Sequence, residues 1–100
     1  MLSMFKNVMK NSIALHGKAI KEVICMEEMA ELTQQLSKDI RGKLDRDHLV
    51  EEFSDVVICM EMLKIIHNIS DEEISRWVDH KMSRQYQRDR KYLEKLKNIF

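Results

Sequence analysis

Apolar residues recur along this chain at three- and four-residue intervals, the spacing of one face of a helix, and no stretch alternates with the period of two that marks a strand. Four helical segments follow. The first is short, roughly Leu2 to Asn11. The second runs from about Leu15 to Ile40 and stops at Arg41-Gly42-Lys43, where Gly42 can take the left-handed position just past a helix end. The third spans about Asp47 to His67, with Asp45 or Asp47 as its N-cap. The fourth opens at Ser70, which with Glu73 spells an S-x-x-E capping box, and continues through Trp77 and Tyr86 to about Lys97.

The third segment departs from ordinary amphipathicity. Leu49, Phe53, Val56, Met60 and Leu63 share one face, while Val57, Ile58, Cys59, Met62, Ile65 and Ile66 cover most of the rest. A helix apolar nearly all round is buried nearly all round. A chain of 100 residues has too little core to do that alone. The pattern predicts a homo-oligomer, a dimer or a tetramer, that completes a four-helix-bundle-type subunit made of a short N-terminal helix and three longer ones.

Composition agrees with an all-α class. There is no proline, and Gly17 and Gly42 are the two glycines. The length points to a single domain covering 1–100. No run approaches the roughly 20 apolar residues of a membrane span. The opening MLSMFKNVMK lacks the apolar stretch of a signal peptide, and a cytoplasmic location is expected. Cys25 and Cys59 both fall in apolar helical context and read as packing residues.

Net charge is zero, but its distribution is uneven: +4 over residues 1–21, −9 over 22–75 and +5 over 76–100. An acidic middle between basic ends suits a metal and a polyanion held together, and equally a bundle whose segments neutralise one another. The acidic centre and zero net charge speak against a nucleic-acid binder.

Two acids interrupt the apolar third helix. Glu52 and Asp55 are three apart on one side, and Cys59, Met62 and Ile66 continue that side of the wheel. Acids at the head of a buried stripe are costly unless compensated. The second helix carries Glu27, Glu28 and Glu31 within an arc of about 100°, opposite an expected core face of Cys25, Met26, Met29, Leu36 and Ile40. An antiparallel hairpin of the two helices brings the acidic groups together. Oxygen ligands alone suit Mg²⁺ or Mn²⁺, and no His or Cys stands at zinc-ligand spacing. His48, His67 and His80 show no such pattern.

The stretch Cys25-Met-Glu-Glu-Met-Ala-Glu-Leu32, followed by Glu51-Glu-Phe-Ser-Asp-Val56, resembles the E-E-x-x-E … E-x-x-D signature of the MazG-like all-α nucleoside triphosphate pyrophosphohydrolases. The likeness covers roughly residues 16 to 90. It implies cleavage of a nucleoside triphosphate between the α and β phosphates with Mg²⁺. Its motif match makes Glu28, Glu31, Glu52 and Asp55 the metal ligands and leaves Glu27 to orient a ligand or the attacking water. Lys81-Met-Ser-Arg84 resembles the basic segment that closes the site in such enzymes. Lys81, Arg84 and Arg88, three and four apart on one helix face, are then candidates for the phosphates. His16, before the second helix, is a candidate for lining the nucleotide pocket. Phosphoribosyl-ATP pyrophosphohydrolysis and a non-catalytic helical interaction module are the alternatives.

Overall fold

The computed structural model describes residues 2–99. Among them stand four α-helices and no strand: α1 (Lys6–His16), after a 3₁₀ turn at Leu2–Phe5, α2 (Lys18–Ile40), α3 (Arg46–His67) and α4 (Asp71–Ile99). The fold is all-α. No helix is long and apolar enough to cross a membrane.

Local chemistry sets the helix ends. Gly17 takes φ +91°, which a side chain would oppose, and its N–H donates to Ile13 O at 2.8 Å. That break lets α1 run to His16, beyond the expected end at Asn11, and delays α2 to Lys18. At the other end of α2, Gly42 N–H donates to Asp39 O (2.9 Å) and Lys43 N–H to Lys38 O (2.8 Å). With Gly42 at φ +73°, this is a Schellman motif, and it satisfies carbonyls the helix leaves open. Asp45 caps α3, its Oδ1 accepting from His48 N–H at 3.2 Å. Before α4, Glu73 N–H donates to Ser70 Oγ and Ser70 N–H to Glu73 Oε1, both at 3.1 Å. That is the predicted capping box, and the Ser70 N–H and Oγ–H that donate to Glu73 Oε1 hold the Glu73 carboxyl below its ordinary pKa.

The chain divides into two compact units, one ending at Asn68 and the other beginning at Ile69. In the first, α2 and α3 pair as an antiparallel hairpin across residues 41–45, and α1 packs on both. Its buried apolar residues are Met9 and Ile13 of α1, Cys25 of α2 and Cys59 of α3, with Cys25 fully so. Cys25 Sγ donates to Cys59 O at 3.8 Å, which fixes the level at which the two long helices cross. The second unit contains α4, exposed along nearly its whole length.

One packing expectation is corrected. α2 presents Cys25, Glu28 and Gln35 toward the interior of its unit, whereas Met26, Leu36 and Ile40 of the expected core face are exposed. Cys25 of that face is buried and Met29 half-buried, so the packed stripe overlaps the expected one but is turned toward Leu32, Glu28 and Gln35. On α3, Glu52 and Cys59, seven apart and so on one face, are buried, while Phe53 and Met60 are exposed.

Candidate metal centre

Glu28 and Glu31 project together from α2 because three residues advance a helix by nearly one turn. The antiparallel return of α3 brings Glu52 opposite them. One carboxylate oxygen from each of Glu28, Glu31 and Glu52 lies within 4.8 Å of the other two. An octahedral shell of Mg²⁺ spans about 4.2 Å between opposite oxygens, so small side-chain rotations suffice to close these three on an ion. Glu52 is buried, Glu28 half-buried and Glu31 exposed. The cluster therefore has a dry wall on α3 and an opening to solvent at Glu31.

Its electrostatics are unfavourable as the side chains stand alone. Burial pushes the Glu28 carboxyl up to about 7, and the charges of Glu31, Asp55 and Glu52 push the same way. Burial, a hydrogen bond with Glu31, and the charges of Glu31 and Asp55 also raise Glu52, while His48 opposes them. Both acids keep a buried oxygen, Oε2, with no hydrogen-bond partner. A buried acceptor without a donor is costly, and a hard cation removes both the repulsion and the vacancy in hydrogen bonding. The residues fit Mg²⁺ or Mn²⁺.

Asp55 is the fourth acid of the motif. It stands outside the close triad, yet near enough that its charge raises both Glu28 and Glu52. Glu27 is exposed beside the triad and not part of it. His16 sits exposed at the C-terminal end of α1, just before α2. Lys81, Arg84 and Arg88 are exposed on α4, in the second unit.

Two residues of this region escaped the sequence reading. His48 Nε2 lies 3.5 Å from Glu52 Oε1, one turn earlier on α3. The i,i+4 spacing of the pair was the available signal. Gln35 is 3 % exposed, and its Oε1 also lacks a partner. It stands seven residues after Glu28, so a polar position repeating at heptad spacing was the sign to follow. The nearby thiols take no part: burial and Cys25 push Cys59 up to about 12, and both cysteines are buried and free.

No family model matches this chain, and no curated protein or solved structure matches it.

Proposed function

We propose that this protein hydrolyses a nucleoside triphosphate to the monophosphate and pyrophosphate, with Mg²⁺, or Mn²⁺ in its place, held by Glu28, Glu31 and Glu52 and with Asp55 beside them. The observation that carries the reading is the convergence of three carboxylates from two helices, two of them with a buried oxygen that has no donor. The E-E-x-x-E … E-x-x-D resemblance supplies the reaction. A bound divalent ion neutralises the triphosphate and orients it for attack.

The chain's own groups divide the remaining work. Glu31, at the open edge, would hold the solvent-facing side of the ion, where a triphosphate could reach the metal. Glu27, exposed next to Glu28, is the carboxylate available to hold water. Water adds to the α-phosphorus, the anhydride bond to the β-phosphate breaks, and a proton is released as pyrophosphate leaves. Lys81, Arg84 and Arg88 are our candidates for neutralising phosphate oxygens, since guanidinium and ammonium groups match that charge. His16, exposed at the end of α1, is retained as a candidate contact for the nucleotide.

The test is a screen of pyrophosphate release over canonical and modified nucleoside triphosphates, with and without Mg²⁺. Mg²⁺-dependent release of pyrophosphate and monophosphate is the expected result. Orthophosphate and diphosphate as primary products would sink the reading.

A further inference from the structure

Among the described residues, three buried side-chain oxygens lack any hydrogen-bond partner: Glu28 Oε2, Glu52 Oε2 and Gln35 Oε1. Two belong to the acidic triad. The third comes from a neutral amide, and its position is informative. Gln35 lies four residues beyond Glu31 and seven beyond Glu28, so it continues their face of α2, about 6 Å along the axis from Glu31 toward the 41–45 loop. Counting along both helices from the crossing of Cys25 with Cys59 brings Glu31 across from the Glu52 region. The same count brings Gln35 across from the turn that carries His48 and Glu52.

Interiors seldom keep an unpaired amide, and a leucine or methionine at this seam avoids the penalty altogether. By this register the three orphaned oxygens lie along one seam of the hairpin. They are all acceptors, so what the seam lacks is a donor or a cation. Three carboxylates offer an ion three oxygens, whereas Mg²⁺ takes six and usually keeps several waters. Each retained water presents protons that need acceptors, and the ion makes them strong donors. An amide accepts such a proton without adding a further negative charge to an already crowded site.

We propose that Gln35 is an outer-sphere partner of the cation site, its Oε1 accepting a hydrogen bond from a water molecule on the divalent ion held by Glu28, Glu31 and Glu52. The inference rests on the cation reading of that triad. Gln35 is a positioning residue: it orients bound water and touches no phosphate.

The experiment is a Mn²⁺ titration of the full chain, followed by electron paramagnetic resonance, beside melting curves of the metal-free protein. Gln35→Leu raises the Mn²⁺ Kd about tenfold or more, the usual scale for losing an outer-shell partner, while the metal-free melting temperature holds or rises. Gln35→Glu keeps an acceptor and binds within about threefold of wild type or more tightly. Binding by Gln35→Leu within about twofold of wild type overturns the proposal and leaves the triad site standing. So does a fall in metal-free melting temperature for both variants with equal loss of binding, which marks a packing role. If the wild type binds no Mn²⁺, the triad site itself fails and Gln35 with it. Should Gln35→Leu not fold, Gln35→Met, of similar length and without the amide acceptor, takes its place.

Discussion

Glu52 divides its two oxygens between two environments: Oε1 lies 3.5 Å from Nε2 of His48, and Oε2 is buried without a partner. A carboxylate held by one oxygen and free at the other is oriented to give the second to an ion. His48→Ala removes the holding group and weakens Mn²⁺ binding by about tenfold, while His48→Gln, which keeps a donor on a side chain of similar reach, recovers part of it. A calorimetric Mn²⁺ titration of the two variants checks this, and equal binding by wild type and His48→Ala denies His48 the role.

Stability in the absence of divalent ions falls as pH rises. The Glu28 carboxyl is raised from its ordinary 4.5 to about 7 in the folded chain, chiefly by burial. Between those values the native state binds a proton that the unfolded chain has released, so folding is favoured at the acidic end and the advantage is lost as pH passes 7. Glu52 shifts in the same direction. Denaturation midpoints in chelator therefore decline between about pH 5 and about pH 8. Glu28→Gln flattens the decline and is the more stable protein at the alkaline end. A midpoint that climbs over this range contradicts the buried, repelling cluster.

Asp55→Asn separates a role beside the metal from a structural one. It removes one charge of the cluster and nearly keeps the shape, so the metal-free melting temperature holds or rises. The gain in melting temperature on adding Mg²⁺ shrinks, because preferential binding to the native state is its source. Activity falls by orders of magnitude as the substrate loses its orientation. A structural acid gives the opposite signature: loss of stability with and without Mg²⁺, and full activity in the fraction that stays folded.

We expect a homo-oligomer, a dimer or a tetramer. Phe53 and Met60 on α3 and Met26, Leu36 and Ile40 on α2 are each more than half exposed. Burying one such side chain is worth about 1.5–3 kcal/mol, so leaving all five in water is a large and avoidable cost. Light scattering at micromolar concentration measures the mass directly. Phe53→Asp together with Met60→Lys reduces that mass to one chain, and a wild-type monomer refutes the expectation.

What the sequence determined by itself is what short-range forces decide. The Schellman stop at Gly42, the Asp45 cap and the Ser70–Glu73 box each depend on atoms within five residues; the cap was narrowed to Asp45 or Asp47, and the first and last were legible in the residue types. So was the all-α class, and so was the spacing that sends Glu28 and Glu31, or Glu52 and Asp55, from one side of a helix. Gly17 was equally local, and its left-handed φ moved the boundary between α1 and α2.

Only the tertiary structure decided which flank of α2 is packed. The apolar arc of that helix is wide, so periodicity alone does not fix which side of it is packed. The choice falls to the hairpin geometry and to the crossing of Cys25 with Cys59. From that one long-range event follow the burial of Glu52 and Gln35, the raised carboxyl of Glu28, and the orphaned oxygens that give the cluster its chemistry. Desolvation is a property of what lies across the interface, and residues distant in the chain supply it.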